Sequence, residues 1–209
     1  INHGSFKNQL GVLHAPNEVR IATPFLDTLN DDDIRSGYGE IVKLALTENA
    51  TDIDEVIRSV DRNGLRCPEL LSMIRRSLQI KKVVIEEDEY ESDLRRILNY
   101  GHTFGHALET TTQYAVNHGQ AVTVGMDIAN RISLDHGLLD IVVYEHLHKM
   151  LSINLPAYDF SQINVDDYLN ALSADKKNVD TGLTCILSEG PGKLVKRSLP
   201  MDAKLRKTI

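Results

Sequence analysis

Three scarcities bound what this chain of 209 residues can be. It has 2 cysteines, Cys67 and Cys185, too few for a disulfide framework, and reduced thiols are the expected state. No apolar run approaches the ~20 residues of a bilayer-spanning helix and nothing has the layout of a signal peptide, so a membrane role is not expected. Positive charge is in deficit: 23 Lys and Arg against 30 Asp and Glu leave a formal net charge of -7, which argues against a nucleic-acid surface. Internal repeats and low-complexity segments are also missing. What is present is 42% hydrophobic residues, enough for a substantial core. The length suits one domain, or about one and a half at roughly 150 residues each.

One stretch organises the rest: Arg95 to Glu109, reading RRILNYGHTFGHALE. Written on a helix, Leu94, Leu98, Gly101, Gly105 and Leu108 fall on one buried stripe. Arg95, Asn99, His102, His106 and Glu109 fall on the next, so a cation, an amide, two imidazoles and a carboxylate share an edge. Two histidines a turn apart are ordinarily part of a solvated face, but five functional side chains bordered by apolar residues and glycines point to a site. Each glycine costs a helix about 1 kcal/mol, so Gly101 and Gly105 suggest close approach of another backbone or a ligand. Thr103 follows His102 where a metalloprotease helix needs Glu, which excludes that reading.

The remaining elements read in order. Glu18 to Thr23 is expected to be a short strand, with Phe25, Leu26, Asp27 and Thr28 turning into the next helix. Asn30 is its N-cap and Asp31, Asp32 and Asp33 suit the positive end of its dipole, so this acidic run is capping and not a metal site. Ile34, Tyr38, Ile41, Val42, Ala45 and Leu46 form the apolar face, and Ser36, Glu40, Lys43 and Thr47 a second stripe. A Glu and Lys three apart are ordinarily a surface ion pair worth well under ~1 kcal/mol. Asn49 to Asn63 reads as a surface helix and loop. From Pro68 a helix carries Leu70, Ile74 and Leu78 on one face, continued by Lys81, which snorkels to solvent in the ordinary case. Glu86 to Glu89 reads as a solvated turn. His118 precedes a helix that runs to about His136, apolar on several sides and therefore central, with Gly137 as its cap. A helix near Val165 to Ala174 leads to Asp175, Lys176 and Lys177. Thr184 to Leu187 and Leu194 to Ser198, separated by EGPG, read as a β-hairpin, and the basic tail Lys204 to Lys207 as frayed. His3, His14, His136, His146 and His148 are expected on the surface.

NYGHTFGHALE followed by NHGQAVTVGM resembles dehydroquinate synthase and its sugar-phosphate cyclase relatives. INHGSFKNQLG resembles that family's substrate loop, FLDTL its cofactor-contacting turn, SGYGEIVK its first metal-ligand helix and ADKK a late lysine motif, all in the family's order. Phe6 departs from the glycine common before this lysine in dehydroquinate synthases. The resemblance implies a mainly α fold, the helical metal- and substrate-binding C-terminal domain with a small β-hairpin. The chain is then a fragment spanning residues 1–209 of that domain, with 1–28 as substrate loop and interdomain segment. The family's N-terminal α/β domain, which carries most of the NAD site, is not in it.

Residue by residue, the resemblance implies that Glu40, His102 and His118 bind a divalent metal, zinc or cobalt, a His₂Glu set that leaves coordination positions open for water or substrate. It places Lys7 and the turn Phe25, Leu26, Asp27, Thr28 near the NAD cofactor, and Asn8 near the substrate phosphate. It assigns Lys43, Lys81, Arg95, Asn99 and His106 to a carboxylate and a phosphate, and Lys176 or Lys177 to the phosphate. Asp88 falls at a recurring family position. The implied activity is a cytoplasmic lyase of the shikimate pathway of aromatic amino-acid biosynthesis. It turns 3-deoxy-D-arabino-heptulosonate 7-phosphate into 3-dehydroquinate and phosphate, working as a homodimer with its N-terminal cofactor domain. Another sugar-phosphate cyclase, of the valiolone or inosose type, and a non-catalytic metal-binding domain are the alternatives.

Overall fold

A computed structural model describes residues 11, 17–18, 20–48, 54, 58–60, 63–89, 94–173 and 182–208. The fold is mainly α with one two-stranded sheet. Helix α1, Asp31–Glu48, starts where the Asn30 side chain accepts from the Asp33 amide at 2.8 Å, with the three aspartates in its first turn as expected. Helix α2 is Leu70–Glu87, α3 His102–Thr111, α4 His118–Asp135, α5 Ile141–Ser152, α6 Val165–Ser173 and α7 Ala203–Thr208. Strands β1, Gly182–Ser188, and β2, Leu194–Pro200, pair antiparallel, with Cys185 opposite Arg197. No helix among the described residues is long and apolar enough to cross a membrane.

Helix α4 is the centre. Its Ala121, Val122, Met126 and Ala129 are fully buried, and α1, α3, α5 and the hairpin all pack on it. Asn117 starts α4 by accepting from the Gln120 amide at 3.1 Å, while its own amide group donates to Asp32 O on α1 at 2.9 Å. Gly137, in the left-handed region at φ 70, follows its end. The core continues through Tyr100, Phe104, Leu147, Leu151, Leu172, Leu183 and Leu187, each almost fully buried. Ser133 of α4 accepts from the Ser188 amide at 3.0 Å and Leu46 O of α1 from the Gly192 amide at 2.9 Å, which ties the hairpin to two helices.

Four sequence expectations differ from this architecture. The stretch from Leu94 to Glu109 is not one helix. A 3₁₀ segment, Leu94–Asn99, ends at Tyr100, and Gly101, at φ 77, reorients the chain into α3. A left-handed residue cannot lie inside an α-helix, so the single stripe is broken there. No strand forms among the described residues of Glu18 to Thr23. Pro24 instead sits in the first turn of a 3₁₀ helix, Thr23–Thr28, where its missing N–H costs nothing. The core face of α2 is Met73, Ser77, Ile80 and Val84, one position round from that expected, and it leaves Leu70, Ile74 and Leu78 beside a cleft. The tail is helical, held by Asp202 accepting from the Leu205 amide at 2.9 Å and by burial of Leu205. Of Asn49 to Asn63, residues 54, 58–60 and 63 are helical and the others lie outside the described residues.

The helix crossings at α4 are backbone contacts. A Cβ built on Gly119 would sit 1.7 Å from Ser36 O, and one on Gly125 would sit 2.0 Å from Gly101 O. Backbone cannot yield as a flexible side chain would. Gly125→Ala is therefore expected to lower unfolding free energy by about 1–3 kcal/mol or more in urea melts, the usual range for overpacking. Gly37→Ala, where an added Cβ meets nothing within 4 Å, is expected to stabilise α1 by up to ~1 kcal/mol.

Candidate metal and anion site

The glycine crossings decide which side chains meet. Ser36 Oγ accepts from the Gly119 amide at 2.9 Å, pinning the first turn of α4 against α1 one helical turn before Glu40. Glu40 therefore faces His118, the first residue of α4. On the other side of α4, the close approach of Gly101 and Gly105 to the Val122 and Ala121 carbonyls brings in His102, the first residue of α3. The close approach those glycines suggested is thus to backbone.

Glu40, His102 and His118 converge. Glu40 Oε1 lies 3.7 Å from His102 Nε2 and 3.6 Å from His118 Nε2. This oxygen is buried and has no hydrogen-bond partner, while Glu40 Oε2 accepts from Lys43 Nζ at 2.8 Å. On each imidazole, Nδ1 is already engaged: His102 Nδ1 is 3.2 Å from Tyr100 O and His118 Nδ1 is 3.2 Å from Glu109 Oε2. That arrangement turns both Nε2 atoms toward Glu40 Oε1. The three ligand atoms lie within 4.8 Å of one another, a spacing and donor set suited to a divalent ion.

A polar pocket of about 210 Å³ opens beside this triad, lined by Glu40, Lys43, Lys81, Arg95, Asn99 and His102. Lys43 is 4% exposed, far from the solvated ion pair its spacing ordinarily signals. Arg95 is anchored at its backbone, where its N–H donates to the buried Asp88 Oδ2 at 2.9 Å, and its guanidinium donates to Glu89 O at 2.8 Å. His106 is exposed at the edge, its ring centroid 5.2 Å from His102 and 5.8 Å from His118. Glu40, Leu44 and Lys81 are shared with a second, apolar cleft of about 330 Å³ between α1 and α2. Leu26 lines that cleft and Phe25, at 74%, is among the most exposed apolar side chains. Asp27 and Thr28 lie in the same 3₁₀ turn, which Thr28 closes by donating to Phe25 O at 2.8 Å. Lys7, Asn8, Lys176 and Lys177 lie outside the described residues.

The electrostatics are those of a crowded, part-buried charge cluster. Burial resists ionisation of Glu40, but the His118 ring, the Lys43 ammonium and His102 together outweigh it and hold its carboxyl well below the usual carboxylate range. Burial drives the His102 imidazole toward its neutral form, and the Lys43 charge adds to this. Lys43 is itself pulled down by burial, against the attraction of Glu40. His118 goes the other way: Glu109 first and Glu40 second raise it to about 9.

Sequence reading left two members of this arrangement without a role. Glu109 stood in the stripe with no partner, because its contact with His118 crosses from α3 to α4. Ser36 stood in the α1 stripe, and its bond to Gly119 is likewise invisible before the helices are packed. His146 pairs with Asp54 at 3.3 Å and His148 with Asp127 at 2.9 Å, both at the surface as expected, and His136 is exposed.

Comparison with known proteins bears on this geometry. Residues 37–178 match the family model for the 3-dehydroquinate synthase C-terminal domain. The 3-dehydroquinate synthase of Legionella pneumophila strain Paris is 37% identical over 196 residues, covering 92% of this chain and 53% of that protein. That of Campylobacter jejuni strain 81-176 is 33% identical over 199 residues, covering 92% of this chain and 56% of that protein. The chain thus spans about half the length of the curated relatives it matches. A crystal structure of 2-deoxy-scyllo-inosose synthase superposes with TM-score 0.83 at 26% identity, over 100% of this chain and 58% of that one. A 2-epi-5-epi-valiolone synthase from Streptomyces hygroscopicus, solved with NAD+ and Zn2+ bound, superposes with TM-score 0.75 at 26% identity, over 96% of this chain and 56% of that one.

The His118 shift carries a stability prediction for the metal-free chain. Its folded value of about 9 lies above the ordinary ~6.5, so its charged ring stabilises the fold fully below pH ~6.5 and that contribution is lost as pH rises through about 9. Thermal midpoints measured in chelator should fall between those limits. His118→Gln should flatten that fall.

Proposed function

Since the chain belongs to the 3-dehydroquinate synthase C-terminal family, we propose that it is the metal- and substrate-binding half of a 3-dehydroquinate synthase. The reaction is the conversion of 3-deoxy-D-arabino-heptulosonate 7-phosphate to 3-dehydroquinate and phosphate, a lyase step of the shikimate pathway. In this reading the whole chain is one C-terminal domain, whose first 28 residues lead in from an NAD-binding α/β domain. The observation that carries it is the polar pocket: three cations, Lys43, Lys81 and Arg95, surround one carboxylate, Glu40, beside two imidazoles. That balance suits a substrate with two anionic groups.

Glu40, His102 and His118 are the residues that would hold a divalent ion, zinc or cobalt. The buried Glu40 Oε1, which accepts no hydrogen bond, faces two imidazole Nε2 atoms at 3.6 and 3.7 Å, and that supports the fit. When bound, the ion supplies Lewis acidity to substrate oxygens and the nicotinamide cofactor supplies reversible hydride transfer. The chain's own residues do the rest. Lys43 gives one N–H to Glu40 Oε2 and keeps two for an anion in the pocket. Arg95 and Asn99 receive the substrate carboxylate as a charged fork and an amide, with Asp88 fixing the Arg95 backbone. Lys81 and His106 are assigned to the substrate phosphate, and the exposed His106 ring stands beside both metal-site histidines. Lys176 or Lys177 and Asn8 complete the phosphate contacts, and Lys7 with Phe25 to Thr28 forms the cofactor rim. The apolar cleft between α1 and α2, which Leu26 helps to line, supports assigning the Phe25 to Thr28 turn to that rim. A soluble cytoplasmic homodimer is the state proposed for the complete enzyme.

A cyclase of the inosose or valiolone type is the second reading, favoured by the two superposed structures. Arg95 and Asn99 in the pocket weigh against it, because substrates of those types lack the carboxylate. With the cofactor domain joined upstream, NAD and metal present, the keto sugar acid phosphate should release phosphate. Arg95→Ala should lower kcat/KM by at least about 100-fold, the scale of removing one partner from a desolvated charge pair (~2–5 kcal/mol). Turnover of sedoheptulose 7-phosphate without turnover of the keto sugar acid phosphate would overturn the assignment. Steady turnover by the 209-residue chain alone would overturn its being one half of the site.

A further inference from the structure

Resting on the metal-ligand reading above, we propose that Glu109 is a positioning residue for the metal site, fixing the His118 ring so that its Nε2 is the ligand atom. Glu109 is 4% exposed on α3, three residues beyond His106, and its Oε2 lies 3.2 Å from His118 Nδ1. A buried carboxylate is costly unless it is compensated, so this one is held for what it contacts. Its ion pair with His118 spends Nδ1 and leaves Nε2 3.6 Å from Glu40 Oε1. His102 is oriented in the same sense, but by a neutral acceptor, Tyr100 O at 3.2 Å. A carboxylate partner fixes the tautomer and makes the ligand nitrogen more basic than a carbonyl does.

The same atoms admit a rival. His106, Glu109 and His118 also group closely enough to hold an ion of their own. Two features favour positioning. Glu109 Oε2 is already at hydrogen-bond distance from Nδ1, the atom a second ion would need. The His106 and His118 rings are stacked at an interplanar angle of 27°, so their in-plane lone pairs run side by side, whereas His102 meets His118 at 65°.

The test is calorimetric titration of the metal-free 209-residue chain with Zn2+ alone, against Glu109→Ala, Glu109→Gln and Glu40→Ala, each checked for retained helicity. One equivalent is expected. Glu109→Ala should weaken binding 10- to 100-fold, and Glu109→Gln, whose amide oxygen still accepts from Nδ1, should fall between the two. In the zinc-loaded chain a low-field imidazole N–H resonance assigned to His118 should persist in Glu109→Gln and vanish in Glu109→Ala, a change that a merely structural role would not produce. If Glu109→Ala fails to fold, the near-isosteric Gln variant decides by the same two readouts. Affinity within twofold of the parent for the Glu109 variants, with Glu40→Ala weakened, would overturn the positioning role and leave the metal reading intact. Unweakened binding by Glu40→Ala would overturn the metal reading itself. Two equivalents in the parent and one in Glu109→Ala would make Glu109 a ligand, against this proposal.

Discussion

Everything at the site depends on helix backbones meeting without side chains between them. Helix α4 touches α1 through Gly119 against Ser36 and Gly39, and touches the start of α3 through Gly125 against Gly101. Three of these glycines adjoin a site residue. Gly39 precedes Glu40, Gly101 precedes His102 and Gly119 follows His118. Contact at the glycine therefore sets the position of the neighbouring donor, and three donors from three helices come within 4.8 Å. One methyl group at any of these crossings would need a backbone shift, and a shift of an ångström at a constellation of this kind is functionally large.

Packing that brings the donors together also concentrates charge in a part-buried space. Lys43 and Glu40 neutralise one another at 2.8 Å, yet Glu40 keeps an oxygen with no hydrogen-bond partner. Facing that oxygen are the two imidazole Nε2 atoms, at 3.6 and 3.7 Å. Under the proposed function, Oε1 is where a cation would be received and Lys43 where an anion would be. The opposite displacements of the two imidazoles express the same design. His102, buried near Lys43, is held neutral, whereas His118, between Glu40 and Glu109, is held charged until something displaces its proton.

Local signals were legible in the sequence and contacts between helices were not. Asn30 followed by three aspartates marked the start of α1, Gly137 marked the end of α4, and the strands around EGPG form the antiparallel hairpin, because each of these is short-range chemistry; the Asn117 cap of α4 went unread. Gly101 and Gly105 were legible as a close approach but not as a break. The left-handed residue Gly101 abuts Met126 and Val122 of α4, a contact that only the packed helices reveal. The α2 face was misplaced by one position because Leu78 is exposed and Leu70 and Ile74 are only partly buried at the core's edge, all three beside a cleft. Family likeness named Glu40, His102 and His118, and the fold brings them together. Glu109 stayed without a role because its value lies in a contact between α3 and α4 that no periodicity encodes.

The measurement that bears most directly on this account is anomalous diffraction from crystals of the chain soaked in zinc. One dominant peak is expected, bonded to Glu40, His102 Nε2 and His118 Nε2 at about 2.0–2.2 Å, the ordinary zinc distances. A dominant peak elsewhere, on the His106 and Glu109 side of His118 or at the surface pairs His146 with Asp54 and His148 with Asp127, would contradict it.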